Sequence, residues 1–532
     1  MATGPSGAQP LSPSRPYHRG LAVVLLLIGA GCRLLLAART FLNPDEALHY
    51  FVAAQPSLSQ TYTTSLTTAH PPLMFLLLHF WIMLGNSPFF LRLPFVIAGL
   101  LFAWTMFLWV ERIGGKNAAL FSLAICSLSP SLIAISAEVR QYSLLLLFCA
   151  SSLYALERAF QEQSAKMMAL SAVALWLGLL THYSALIFAA AAGVYGLVRL
   201  LRARNPLRIR AIWTLGQFLG LATCVVLFQT QLSRLRQSGV PSEIAATWLR
   251  ESIFHSGSDH FLSFAVSKTI RLFRYFFSHG SIGTIMLILF LSAVVALAWK
   301  KELPAQPAKS LAALLALPFG IALAAAIAGV YPYGGTRHDI ALIVVAIAGI
   351  AIGLDLVNVG PVAARGKLGL LLLLLAVCNV FASPTPPFIL PHNQRAELMT
   401  GAVSLLQSQP AGSIILSNYQ SGLVLSYYLC GKQTQLPFGP TPPRLVAADC
   451  GRSSLLVAVG SQNSFALGDL PGVMREAWST VPPGISSLSL FQTGWIDADS
   501  ARWDDELRAV GCREFPNFGA NIRVSRCEIL SH

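Results

Sequence analysis

Charge is scarce in this chain. Only 11% of its 532 residues are Asp, Glu, Lys or Arg, against roughly a quarter in an average soluble domain. That scarcity excludes an ordinary water-soluble globule. A basic block and a nucleic-acid-binding motif are also lacking. The net charge of +14 therefore points to anionic lipid and membrane topology, not to nucleic acid. No convincing internal repeat is found. The first apolar stretch has no small-residue cleavage site, so it is expected to stay as a span and not to be removed as a signal peptide.

Apolar sequence is plentiful instead. Hydrophobic residues make up 55% of the chain, and the mean hydropathy is +0.61. Runs near 20–38, 93–111, 118–136, 142–157, 167–181, 184–199, 211–229, 282–299, 310–330, 340–358 and 368–383 approach the length of about 20 residues needed to cross a bilayer. Basic residues cluster in alternate connections: Arg15/Arg19, Arg112/Lys116, Arg158/Lys166, Arg199 to Arg210, Lys300/Lys301/Lys309 and Arg365/Lys367. Placing these clusters in the cytoplasm satisfies the positive-inside rule. One further run, 73–84, would reverse the parity of every later cluster if it spanned. It is expected to lie at the outer interface. The reading is an all-α polytopic membrane protein of about eleven spans with its N-terminus inside.

Four regions follow: a cytoplasmic tail over 1–19, a transmembrane module over 20–383, a Pro-rich linker over 384–400, and an outer domain over 401–532. From 384 onward there are 10 Lys/Arg and 11 Asp/Glu, so the positive excess belongs to the membrane part. The outer domain alternates short apolar runs with turn signals, as in "SIILSN" and "SSLLVAVG", and reads as a small α/β domain. It holds Cys430, Cys450, Cys512 and Cys527. An even set in an oxidising compartment favours disulfides, and Cys430–Cys450 with Cys512–Cys527 is the simplest of three pairings. The five membrane cysteines read as small core residues.

Acidic residues at a membrane are costly, which makes "NPDEALHY" at 43–50 conspicuous. Alone, Asp45 and Glu46 would read as the start of a surface helix after Asn43-Pro44. They are not alone. In the same topology the outer segments also carry His70 in "AHPPLMF", then Glu138, Arg140 and Tyr142 in "AEVRQYSL". Further on come His182 and Tyr183 in "THYSAL", and Arg337, His338 and Asp339 in "TRHD". Arg140 could pair structurally with Glu138, and His182 could be a surface histidine. Polar residues converging on one face nevertheless suggest a lined cavity. A carboxylate can accept the proton of an attacking hydroxyl, and Arg can hold a phosphate bidentately. These types suit glycosyl transfer from a lipid phosphate.

The ordered set "PDEA", "HPPLMFLLLHFW", "LRLP", "AEVRQYSLL", "THY" and "TRH" resembles the GT-C membrane glycosyltransferases. The branch is that of the protein O-mannosyltransferases and the lipid A aminoarabinose transferase, and the bacterial family 39-like enzymes in particular. The likeness covers residues 20–350. It implies Asp45 as catalytic base with Glu46 in support. It also implies donor phosphate held by His70, Arg140 and Arg337, with Glu138, Tyr142, His182, Tyr183 and His338 near the substrate. His70 stands where the aminoarabinose branch has Lys, which makes that contact pH-sensitive. The late motif is usually Arg-Tyr, and here Arg337 precedes His338. The implied reaction is inverting transfer from a polyprenyl-phosphate sugar, undecaprenyl phosphate in a bacterium, to a glycan, lipid or protein hydroxyl outside the inner membrane. No obligatory cofactor is expected, and a divalent metal at Asp45 and Glu46 is the disfavoured alternative. A transporter or lipid-linked sugar flippase is the competing reading. It should have two related halves or Gly/Pro-broken helices at matching positions, and neither is found.

The topology is directly testable. Cysteines placed at Ser65 or Ser256 are expected to react with a membrane-impermeant thiol reagent from outside, and one at Asn117 is not. External labelling at position 117 would mean that 73–84 crosses the membrane.

Overall fold

The computed structural model describes residues 16–202, 205–237, 249–299, 307–357, 360–381, 395–431, 445–458, 470–482, 485–493, 500–515, 518 and 522–528. Residues 1–15 of the expected tail and 384–394 of the expected linker lie outside the described residues.

A long helix, Pro16–Arg39 (α1), leads into three short ones, Pro44–Ala53 (α2), Leu58–Ser65 (α3) and Leu73–Ile82 (α4). The bundle continues through Pro88–Gly114 (α5), Lys116–Leu128 (α6), Pro130–Ser136 (α7), Tyr142–Gln161 (α8), Ala165–Leu179 (α9) and Ala185–Arg202 (α10). After Leu207–Leu227 (α11) and Ser233–Gln237 (α12) come Phe261–Phe277 (α13), Gly280–Trp299 (α14), Ala308–Ile327 (α15), Ile343–Leu356 (α16) and Pro361–Phe381 (α17).

Among the described residues nine helices are long and apolar enough to cross a membrane, or ten with the bent pair α6–α7 counted as one. The remaining expected span, 167–181, forms the 15-residue α9. At 1.5 Å per residue it is about 22 Å long, short of the roughly 30 Å hydrocarbon core. The chain leaves the helix there to turn through Thr181–Ser184. The 73–84 run forms the ten-residue α4, about 15 Å long, which cannot span.

The 58° bend between α6 and α7 has a local cause. Pro130 has no N–H, so the Cys126 carbonyl loses its helical partner. Arg33, wholly buried in α1, replaces it by donating to Cys126 at 2.7 Å, to Ser127 at 2.9 Å and to Gly29 at 3.0 Å. Asn379 of α17 donates to the Leu128 carbonyl at 2.7 Å. At the centre, α16 meets α14 closely because Gly349 and Gly353 lack a Cβ. One at Gly353 would collide with the Leu289 carbonyl, and one at Gly349 with the Phe290 ring. Small residues four apart are a usual device for close helix approach in lipid.

The basic connections cross-link at one end of the bundle. Arg112 pairs with Glu162 at 3.0 Å, Arg158 with Glu162 at 2.8 Å, and Arg202 donates to Ser310 at 3.0 Å. The first turns of α2 and α8 and the 180–184 turn lie at the other end.

The C-terminal domain runs Ala396–Gln407 (α18), Ser413–Asn418 (β1), Tyr419–Leu429 (α19), Leu445–Asp449 (β2), Ser453–Ala458 (β3), Leu470–Thr480 (α20), Ser487–Thr493 (β4), Ser500–Ala509 (α21), Cys512–Glu514 (β5) and Ile522–Glu528 (β6). Residues 396–400, expected as linker, already belong to α18. The strands form one sheet ordered β2-β3-β1-β4-β6-β5. β1 is parallel to β3 and β4, and the other pairs are antiparallel. Cys430 is bonded to Cys450, and Cys512 to Cys527. The second pair sits opposite one another in the β5–β6 ladder. Leu423, Val424 and Tyr427 of α19 share one apolar core with Tyr50 and Phe51 of α2 and Phe75 of α4.

Arg33→Met keeps the volume and removes the donors. It is expected to cost about 1–3 kcal/mol for each buried carbonyl left unpaired. The measurement is the unfolding temperature in detergent, and no change would contradict the capping of the α6 break by Arg33.

Candidate active site

The helix α2 starts where it does because Asn43 caps it. The Asn43 side chain accepts the Glu46 N–H at 3.0 Å, Glu46 accepts the Asn43 N–H at 2.9 Å, and Pro44 occupies the first turn. This capping box turns the two neighbouring carboxylates in different directions. Glu46 is wholly buried. Its Oε1 accepts from Arg92 Nε at 2.7 Å and from the Val139 N–H at 2.8 Å, and its Oε2 accepts from Arg92 Nη2 at 2.7 Å. With Asn43 included, both oxygens are fully used.

Asp45 sits one residue earlier with a quarter of its side chain exposed. Arg140 Nη2 donates to its Oδ2, and Arg337 Nη2 lies 3.4 Å from the same oxygen. Arg140 is 3% exposed. Its Nε is 3.8 Å from Glu138, beyond hydrogen-bond range, and its Nε and Nη1 have no hydrogen-bond partner among the described residues. The Arg140 guanidinium lies 5.6 Å from the Tyr142 ring centroid. Tyr142 is 5.5 Å from His182, and His182 stacks at 5.8 Å on His70. Next comes His49, whose ring meets that of His70 at 5.7 Å.

The imidazoles are uncharged by construction. His49 Nδ1 donates to the Val139 carbonyl at 2.7 Å, and burial pulls its pKa down to about 4. His182 Nδ1 accepts from the Ser184 N–H at 3.1 Å, and burial again lowers its pKa to about 4. His70 Nδ1 accepts from the Gln141 amide at 3.1 Å. Its pKa lies well below the usual 6.5, first through burial and then through the fields of His49, His182, His338 and Arg337. Before any donor arrives, His70 is therefore a neutral donor through Nε2, not a cation. Glu138 is pushed the other way, above the usual carboxylate range, by burial and then by Glu46.

The structure brings Asp45, His70, Glu138, Arg140, Tyr142, His182, Arg337 and His338 to one end of the bundle. Glu46 is close by but turned into protein. Tyr183 joins the cluster through Gln231: its hydroxyl donates to Gln231 Oε1 at 2.5 Å. Four residues in the network had been given no role. Arg92 lies within the "LRLP" motif. His49 stands one helical turn after Asp45, a spacing visible in "DEALH". Gln231 lies in the π-helical turn Phe228–Leu232, a type of distortion common at functional sites. Its amide nitrogen reaches the carbonyls of Ser65, Thr68 and His70 at 3.2, 2.7 and 2.8 Å, which fixes the loop that carries His70. The fourth is Gln141, which donates to His70.

A cation shared by Asp45 and Glu46 does not fit these contacts. Glu46 has no lone-pair position left, and Asp45 faces two guanidinium groups. Among the described residues no group of three or more His, Cys, Asp or Glu could hold a metal ion.

At one end of the helical bundle a carboxylate is thus flanked by two arginines and ringed by neutral imidazoles, chemistry that can meet an anionic group. Comparison with solved structures bears on the fold, which this chain shares with ArnT. Its residues 69–228 match the family model described as dolichyl-phosphate-mannose-protein mannosyltransferase. ArnT from Cupriavidus metallidurans in the apo state matches with a TM-score of 0.53 at 13% identity over 96% of this chain and 98% of that one. The same protein bound to undecaprenyl phosphate gives 0.52 at 13% identity over 97% and 98%. The archaeal oligosaccharyltransferase AglB from Archaeoglobus fulgidus gives 0.46 at 10% identity over 77% of this chain, which spans 63% of its length. No curated protein sequence matches.

The neutral imidazoles set a pH dependence. A histidine whose folded pKa lies below its unfolded value binds fewer protons when folded, so stability falls as pH drops from about 6.5 toward 4. Thermal unfolding in detergent is expected to shift down across that window, and to shift less in His49→Gln and His182→Gln. Histidine C2–H exchange read by mass spectrometry gives each pKa directly. A His49 or His182 value at or above 6.5 would contradict the buried neutral state.

Proposed function

We propose that the chain transfers a sugar from a polyprenyl-phosphate donor to a hydroxyl acceptor at the outer face of the membrane. The observation that carries this reading is Arg140: it is buried, shares Asp45 with Arg337, and has two donor nitrogens without a hydrogen-bond partner among the described residues. A buried guanidinium left half satisfied is costly, and a phosphate oxygen would complete it. On this reading the donor phosphate binds Arg140 and Arg337, with His70 Nε2–H as a neutral third donor. The prenyl tail stays in lipid beside the bundle. The basic end of the bundle faces the cytoplasm and the C-terminal domain lies outside.

Asp45 is held by the Arg140 and Arg337 guanidinium groups. A phosphate that takes over part of that charge weakens the grip of Arg140 and Arg337 on the carboxylate. Asp45 then accepts the acceptor hydroxyl proton as the oxygen attacks the anomeric carbon. The new C–O bond forms on the face opposite the phosphate. The old bond breaks with its electron pair on the phosphate oxygen, so the anomeric configuration inverts. Phosphate is a good leaving group, so no strong acid is needed. Glu46 positions α2 and touches no substrate. No divalent cation bridges Asp45 and Glu46 in this scheme.

Asp45→Asn keeps the shape and removes the base. Transfer is expected to fall by at least the factor of about a hundred typical of lost general-base catalysis, with undecaprenyl phosphate still bound. Arg140→Ala and Arg337→Ala are each expected to weaken undecaprenyl phosphate binding by about 2–5 kcal/mol, as in comparable charge-pair truncations, with only partial rescue by Lys. Unchanged binding in both Arg→Ala proteins would remove the phosphate from this site.

A further inference from the structure

We propose that the C-terminal domain is part of the catalytic scaffold: Tyr428 is a positioning residue that holds the loop bearing Asp45. The inference rests on the transferase reading for its kinetic part only.

The contacts are specific. The Leu42 N–H, three residues before Asp45, donates to the Tyr428 hydroxyl at 2.9 Å. That hydroxyl also lies in the field of the buried Arg92–Glu46 pair. Tyr427 donates its hydroxyl to the Asn86 carbonyl just before α5, and its ring meets Tyr50 of α2 edge-on at 5.0 Å. Thr40 forms an isolated antiparallel bridge with Arg395. The segment between α1 and α2 is therefore gripped at Thr40 by Arg395, the residue just before α18, and at Leu42 by Tyr428 of the C-terminal domain. The grip is anchored in turn. Cys430 is the C-cap residue of α19, directly after Tyr428 and Leu429, and its bond to Cys450 ties that helix end to the β2–β3 turn.

The sequence between Leu42 and Asp45 leaves no slack. Leu42 N–H is held by Tyr428, Asn43 is locked by the capping box, Pro44 has a fixed φ, and Asp45 follows. A shift of Leu42 moves Asp45 with it. Arg140 and Arg337 stand on other elements, so the base can be displaced while the phosphate subsite remains. A domain that merely tethered or recruited an acceptor would have no reason to bond this backbone.

The test uses the full chain in detergent. Tyr428→Phe removes the acceptor for the Leu42 N–H and keeps the ring. Amide hydrogen exchange of the segment 41–53 is expected to rise about fivefold to tenfold, from the loss of a hydrogen bond of about 1 kcal/mol. The 178–186 segment should exchange as before. kcat is expected to fall by a similar factor, while undecaprenyl phosphate binding changes less than about twofold. Unchanged exchange at 41–53 in Tyr428→Phe overturns the clamp whatever the enzyme does. So does a loss of phosphate binding in parallel with kcat, because that would be general loosening and not displacement of Asp45. If exchange rises as expected but the unaltered protein transfers no sugar, the clamp stands and the transferase reading fails.

Discussion

The Glu46–Arg92 ion pair is the interaction on which the site depends. Both side chains are wholly buried, and the pair joins four pieces of chain. Arg92 Nη1 donates to the carbonyls of Ala37 and Thr40 at 2.9 and 2.7 Å, and Nη2 donates to Phe41 at 2.8 Å. Glu46 holds Val139 and Asn43. The end of α1, the start of α2, the first turn of α5 and the strap before α8 therefore meet at one point. Two charges taken out of water are a net gain only when their remaining hydrogen-bonding capacity is also used, and here it is. Removing one partner would leave the other buried and alone, at a cost of about 3–5 kcal/mol. Because Val139 is next to Arg140, that knot also decides where Arg140 points.

The neighbouring carboxylates show how a helix divides labour. Successive residues in a helix point about 100° apart. With Glu46 turned back to close the capping box, Asp45 is turned toward Arg140 and Arg337. One carboxylate serves architecture, and on the proposed reading the other serves chemistry. A pair of acidic residues side by side in a sequence does not by itself say which is which. Here the capping geometry decides it.

Much of this was legible beforehand. The apolar runs gave the bundle, the basic connections share one end, and the polar motifs of five separate segments meet at the opposite end. These signals are local: each is read from hydrophobicity or from residue type over a few positions. What escaped was non-local. Tyr428 meets Leu42 across 386 residues of chain, and Gln231 reaches Ser65 across 166. No spacing rule connects such positions. The length of α9 escaped for another reason, since an apolar run does not reveal where its helix stops. His49 could have been found, standing four residues after Asp45 on the same helix face, and Arg92 and Gln141 stood inside motifs already singled out.

The distribution of charge over the site follows from burial. A site closed enough to strengthen electrostatic contacts also removes water from every ionisable group in it. Histidine has a proton it can give up, and His49, His70 and His182 are neutral for that reason. Arginine keeps its proton in proteins. Permanent positive charge at this depth must therefore reside on Arg140 and Arg337, and the imidazoles around them supply uncharged hydrogen-bond donors and acceptors. Adding a further fixed cation in place of His70 would raise repulsion with two guanidinium groups that already share Asp45. On the proposed reading, a neutral ring there adds a hydrogen-bond donor for the phosphate without placing a third positive charge beside Arg140 and Arg337.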